Sequence, residues 1–157
     1  MAQRLFSRLV STAPGVLSRL AKEDRKLVDQ VVERNLTYLS AAKLYNLVDT
    51  CRTIGKAGVK GSFIEAGCAL GGSTVLLAKL KPQGVALRVY DVFGTIPPPS
   101  EADGPDVHER YAAIVHGESR GINDDTYYGY EENLLAIVED NLASFEIDLE
   151  RDCAAWS

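Results

Sequence analysis

Cysteine is scarce. Cys51, Cys68 and Cys153 are odd in number, far apart and outside any C-x-x-C pair, which excludes a disulfide framework and argues against a zinc site. A reducing, cytoplasmic setting fits them best. No apolar run approaches the ~20 residues of a membrane-spanning helix, so no membrane span is expected. No internal repeat and no low-complexity tract occurs. Positive charge is in deficit, with 17 Lys+Arg against 22 Asp+Glu and a net charge of −5. That balance argues against nucleic acid as the main partner. Acidic residues are absent before Glu23, where Arg4, Arg8, Arg19 and Lys22 carry the charge. Such a start suits a transit peptide or a basic amphipathic helix of a cytoplasmic protein, and the second reading is preferred. Charge is uneven further on: residues 1–60 hold 11 basic and 5 acidic side chains, residues 61–157 hold 6 and 17. The basic start offers an anionic partner a surface. Because acids alternate with it from Glu23 onward, a solvated helical face is the preferred reading.

What is present is an ordinary globular mixture, 46% hydrophobic and 25% charged over 157 residues, enough for one domain. Pro14-Gly15 breaks a first helical segment. Leu27, Val28, Val31, Val32 and Leu36 form one stripe, which predicts a helix over 23–36. Ser40 reads as the N-cap of a second helix, with Leu44, Leu47, Val48, Cys51 and Ile54 on one face and a stop between Gly55 and Gly58. The period then changes. Ser62 to Ala66 is short, apolar and flanked by glycine, as in a buried strand. A glycine-rich turn from Gly67 to Gly72 leads into a helix over 73–80, stopped by Pro82 and Gly84. Val85 to Tyr90 reads as a second strand. Strand, helix and strand in this order form a βαβ unit and imply a parallel sheet. Residues 92–130 form a long irregular insertion with Pro97-Pro98-Pro99 and one helix near Val107 to Val115. Its length and polarity suggest a lid. Helical spacing returns over 131–144, and a third strand is expected only near the chain's end.

The chemistry concentrates at Glu65-Ala66-Gly67-Cys68-Ala69-Leu70-Gly71-Gly72-Ser73, followed by Asp91. Glycine at a strand-to-helix turn permits torsions other residues resist and lets a ligand approach the main chain. The free N–H groups of the next helix add partial positive charge. The spacing is G-x-x-x-G-G, not the dinucleotide G-x-G-x-x-G. A turn of this kind can hold a group smaller than a pyrophosphate, such as a methionine carboxylate. An acid at the end of the second strand can accept ribose hydroxyls, as in other nucleotide-binding βαβ units. A tight structural turn beside a surface acid is the competing reading. The order strand, turn, helix, strand and acid favours cofactor binding.

At these residues the sequence resembles macrocin O-methyltransferase-like enzymes. Phe63 to Ser73 is similar to their first motif, and Tyr90-Asp91-Val92-Phe93-Gly94-Thr95-Ile96-Pro97-Pro98 to their second strand and the turn after it. The helix near Tyr45 to Gly61 also resembles theirs, and the likeness extends to about Asp148. The resemblance implies an α/β, Rossmann-like class I methyltransferase fold with S-adenosylmethionine as methyl donor. It implies a hydroxyl acceptor on a sugar or similar natural product, and a magnesium ion at the acceptor. The residues assigned to the cofactor are Glu65 and Gly67 at the methionine end with Ala66 between them, Gly71, Gly72 and Ser73 at the carboxylate, and Asp91 at the ribose. Such enzymes run longer and complete a larger sheet. The resemblance therefore reads this chain as an N-terminal portion: a helical segment over 1–60, then a partial domain over 61–157. Metal-binding acids have no counterpart before Ser157, and no metal ligand is assigned. An incomplete sheet would leave an edge that seeks a partner, as in a homo-oligomer, and a chain without methyl transfer of its own.

Other residues offer less. His108 and His116 are the only histidines and are candidate bases for a hydroxyl, or solvated side chains on helix faces. Tyr127, Tyr128 and Tyr130 either cover a ligand or anchor the insertion. Asp124-Asp125 suits loop capping better than metal binding. Asn35-Leu36-Thr37 fits a glycosylation sequon, a reading an intracellular helix disfavours. Three functions remain in view: a methyltransferase, a non-catalytic fragment or interaction module with a remnant nucleotide pocket, and a nicotinamide-dependent oxidoreductase, for which the glycine spacing is wrong.

Overall fold

Residues 20–153 and 155–156 are described by a computed structural model. The basic start up to Arg19 and the Pro14-Gly15 break lie outside them. Two helices come first. Helix α1 (Lys22–Glu33) buries Val28 and Val31. It ends earlier than its apolar stripe predicts because Asn35 takes a left-handed conformation, φ 54°. Asn35 N–H then bonds Val32 O and Leu36 N–H bonds Val31 O, which satisfies the last carbonyls of the helix. Asn35 therefore serves as a helix terminator.

Helix α2 (Ala41–Ala57) starts where the sequence places it, with Ser40 Oγ accepting the Lys43 N–H. It stops at Gly58, φ 63°, by the same pair of closing hydrogen bonds. Arg52 on α2 makes a two-pronged ion pair with Asp24 on α1, at 2.5 and 3.0 Å, with the Asp24 side chain almost fully buried. The pair fixes the register of the two helices.

Strand β1 (Phe63–Ala66), helix α3 (Gly72–Leu80) and strand β2 (Leu87–Tyr90) form the expected βαβ unit. The strands pair in parallel, Phe63 opposite Leu87 and Ala66 opposite Tyr90. Helix α4 (Pro105–Val115) begins with Pro105, whose ring fixes a helical φ and whose missing N–H costs nothing in the first turn. Two 3-10 turns, Ile122–Asp124 and Tyr128–Tyr130, lead to helix α5 (Leu134–Ala143) and the single turn α6 (Leu149–Asp152). Strand β3 (Ala155–Trp156) then pairs in parallel with β2, giving the order β1-β2-β3.

One core joins these elements. Val28, Val31, Leu44, Val48, Val75, Leu76, Leu87, Val89, Leu134, Val138 and Leu142 are all fully buried in a single cluster. The described part of the helical segment is thus packed into the same core as the βαβ unit. Burial alternates along the strands: Leu87 and Val89 are inside, Arg88 and Tyr90 outside, and Ile64 is 68% exposed. Parallel sheets normally cover both faces. In this mixed α/β fold the sheet face carrying Ile64, Arg88 and Tyr90 is exposed, and among the described residues β1 has no strand on its outer side.

Candidate functional site

The site lies past the C-terminal ends of β1 and β2, the usual place for a ligand in parallel sheets. β1 delivers Glu65 into the protein, where Oε2 accepts the Thr74 hydroxyl at 2.6 Å and Oε1 accepts the Ser73 hydroxyl. These bonds tie the first turn of α3 back to the strand. Burial raises the Glu65 pKa above the ordinary value, the two hydroxyls pull it back, and nearby Asp91 adds to the rise.

Between β1 and α3 the chain turns through Gly67, φ 83°, Ala69, φ 50°, and Gly71, φ 87°. A Cβ on Gly71 would also sit 3.2 Å from the Val138 side chain on α5. Gly72 is required for a different reason: its Cβ would lie 2.5 Å from Leu36 O, and its N–H donates to that same oxygen at 3.0 Å. The end of α1 thus presses directly on the start of α3.

Asp91 follows β2 and reaches back under this turn. Its Oδ2 accepts the N–H of Cys68 at 2.7 Å and of Ala69 at 3.2 Å, and its Oδ1 accepts the N–H of Phe93 at 3.0 Å. A carboxylate has about four acceptor sites. Three are occupied by backbone N–H groups and the Cys68 thiol is close by, so the carboxylate is largely engaged within the protein and has little capacity left for ligand hydroxyls. Burial, Asp91 and Glu65 together push the Cys68 thiol up, so it stays protonated and unreactive.

The opposite wall comes from the tyrosine segment and α4. Tyr130 donates its hydroxyl to Ile114 O at 2.7 Å and accepts the Ser119 N–H at 3.2 Å, which anchors the end of α4. Tyr127 is buried between Tyr128 and Tyr130, at ring separations of 4.7 and 5.2 Å. Tyr128 leans toward Tyr38, 5.6 Å away, and burial raises the pKa of both phenols. The two roles considered for these tyrosines are therefore divided: Tyr130 anchors, and Tyr128 forms wall.

Two adjoining cavities result. One of about 340 Å³ lies between the glycine turn, the α1–α2 connection at Thr37 to Leu39, and Arg110 with Tyr127 and Tyr128. Another of about 420 Å³ is lined by Tyr90, Asp91, Val92, Gly94, Ile96 and Pro97. Gly67 and Tyr128 border both. Of the residues proposed from sequence, Gly67, Ser73 and Asp91 line a cavity. Glu65, Gly71 and Gly72 stand behind the wall and shape it, and Ala66 ends β1 outside both cavities. The Ser73 hydroxyl, assigned from sequence to a ligand carboxylate, is donated to Glu65. Thr37, Tyr38, Leu39 and Arg110 carry no motif. Only the short helix connection ending at Ser40 hints at the first three, and nothing local marks Arg110.

His108 contacts Ser100 O at 3.1 Å and His116 caps α4; neither borders a cavity. Asp125 accepts the Thr126 N–H and helps shape its own loop. Among the described residues no group of three His, Cys, Asp or Glu could hold a metal ion. No helix among them is long and apolar enough to cross a membrane.

A family model described as Macrocin-O-methyltransferase (TylF) matches residues 5–131. That span holds the glycine turn, Asp91, α4 and both cavities. No curated protein and no solved structure matches the chain.

Proposed function

The chain belongs to the macrocin O-methyltransferase family, and from that premise we propose that it binds S-adenosylmethionine across the two cavities in a Rossmann-like, class I arrangement. Methyl transfer would go to a hydroxyl of a sugar or related natural product. The observation that carries this reading is the junction at Gly67. One ligand can pass from the cavity beside the glycine turn to the cavity holding Asp91, with no Cβ at Gly67 to narrow the passage.

The residues fit such a ligand. Asp91, on the wall of the second cavity, presents a carboxylate edge to a ribose hydroxyl. Val92, Ile96 and Pro97 provide an apolar bed for a base. Gly67, Ala69 and Ser73 line the space for an aminoacyl chain. Together the cavities fall within the volume range of small-molecule sites. When bound, S-adenosylmethionine would supply an electrophilic methyl group to the acceptor hydroxyl. The protein's part is to hold donor and acceptor in line and keep water out. Tyr128, on the border of both cavities, shields the middle of the ligand.

Calorimetry with S-adenosylhomocysteine and with NAD tests the reading. The homocysteine product is expected to bind and NAD is not, because the turn lacks the glycine spacing that admits a pyrophosphate. Binding of NAD alone would transfer the chain to the oxidoreductase reading, and binding of neither would remove the cofactor site. Release of S-adenosylhomocysteine with a panel of sugar and phenolic acceptors tests the transfer itself.

A further inference from the structure

Much of the glycine turn's donor capacity is already used within the protein. Gly67 N–H bonds Tyr90 O, Gly71 N–H bonds Cys68 O, and Gly72 N–H bonds Leu36 O. The N–H groups of Cys68 and Ala69 belong to Asp91, and the Ser73 hydroxyl belongs to Glu65. Two acids, Glu65 and Asp91, also lie beneath the turn. The N–H groups of Leu70, Ser73 and Thr74 have no protein acceptor and remain as neutral donors, but no positive side chain lies on this wall beside the two acids. A countercharge for a ligand carboxylate comes from across the cavity.

Arg110 stands there. It projects from α4 and is the one charged side chain among the residues lining the first cavity. Its guanidinium carbon lies 5.4 Å from the centre of the Tyr127 ring, a contact that steadies the group without neutralising it. Among the described residues the ion pairs are Arg52–Asp24 and Arg151–Asp152, and Arg110 belongs to neither. A guanidinium beside a cavity, steadied by a ring and lacking a carboxylate, matches a ligand carboxylate in charge and in its forked geometry.

We propose that Arg110 binds the carboxylate at the methionine end of the cofactor. This rests on the S-adenosylmethionine reading given above. Arg110 then sets the direction of binding, with the aminoacyl end in the first cavity and the nucleoside end beside Asp91. It also makes α4 part of the cofactor site, so that binding draws the insertion onto the turn.

Affinities of S-adenosylhomocysteine and of 5′-methylthioadenosine, which keeps the nucleoside and sulfur but lacks the carboxylate, are measured for wild type, Arg110→Ala and Arg110→Lys. Arg110→Ala is expected to weaken S-adenosylhomocysteine by about 10- to 100-fold and to leave methylthioadenosine within about twofold of wild type. Arg110→Lys should recover part of the loss, because a point charge replaces the fork. Added salt should weaken S-adenosylhomocysteine more for wild type than for Arg110→Ala. Equal losses for both ligands would make Arg110 a mere piece of wall and overturn the proposal. Unchanged S-adenosylhomocysteine affinity in Arg110→Ala would overturn it while leaving the cofactor reading intact. Failure of wild type to bind S-adenosylhomocysteine would sink both.

Discussion

The glycine turn and the insertion over 92–130 face each other across one cleft but are held in opposite ways. Behind the turn, Glu65, Asp91 and Leu36 take up its hydrogen-bonding groups, and α5 presses on Gly71. The insertion is mostly exposed; bonds such as Tyr130 to Ile114 and Thr95 to Gly129 hold it to itself, and Asn123 to Asn35 and the Tyr128–Tyr38 ring contact join it to the α1–α2 connection. A wall fixed from behind defines where a ligand lies. A wall joined to the body by few contacts opens at low cost and suits enclosure and release.

Glycine substitutions give the largest test of that contrast. Gly72→Ala drives a Cβ to 2.5 Å from Leu36 O, a backbone atom that cannot swing aside. A loss of about 3 kcal/mol in urea denaturation is expected. Gly117→Ala, in the insertion, meets open space and pays only for its left-handed φ of 74°, about 1 kcal/mol. Equal losses would mean that the turn is no more tightly held than the insertion.

Asp91→Asn probes the same wall from beneath. An amide in place of the carboxylate leaves one of its ends facing the wrong partner, since Cys68, Ala69 and Phe93 all donate. About 2 kcal/mol of stability is expected to go, with a parallel loss of S-adenosylhomocysteine affinity. A variant of wild-type stability that binds the nucleoside normally would remove Asp91 from both roles.

The two walls also differ in how far the sequence discloses them. The turn is legible because its causes are local: apolar residues change period at Ser62, glycines follow a strand, and Asp91 ends the next one. Ser40 and Gly58 are legible for the same reason, since a cap is made by neighbours in the chain. The reason for Gly72 is not local, because it lies in Leu36, on another element. Arg110 on α4 and Thr37 to Leu39 reach the cavity through tertiary packing that no spacing encodes. A third strand near the chain's end is expected from sequence, but its pairing with β2 is not, because that depends on a crossover through the whole insertion and α5.

On the looser wall, Tyr130→Phe removes the hydroxyl that joins Ile114 O to the Ser119 N–H. About 1 kcal/mol is expected, chiefly as local opening. Amide exchange in α4 should quicken while β1 stays as protected as before. Quickened exchange in both would show that the insertion and the sheet unfold as one unit.

The smallest expected effect is a change of slope at Glu65. Its folded pKa lies above the ordinary 4.5, with burial as the main cause. Between the two values the native protein holds a proton that the unfolded chain has released. The stability of the neutral acid is therefore complete below the unfolded value and declines as pH rises through the folded one. Glu65→Gln does not titrate, so its stability should fall less over that window than the wild type's. The amide brings a separate, pH-independent cost, because it must offer an N–H where the Ser73 and Thr74 hydroxyls now donate. Urea midpoints from about pH 4 to pH 7 separate the two effects, the slope reporting the proton and the offset the hydrogen bonds. Parallel slopes for wild type and Glu65→Gln would show that Glu65 releases its proton at the same pH folded and unfolded, and that the turn is braced by a carboxylate as readily ionised as one in water.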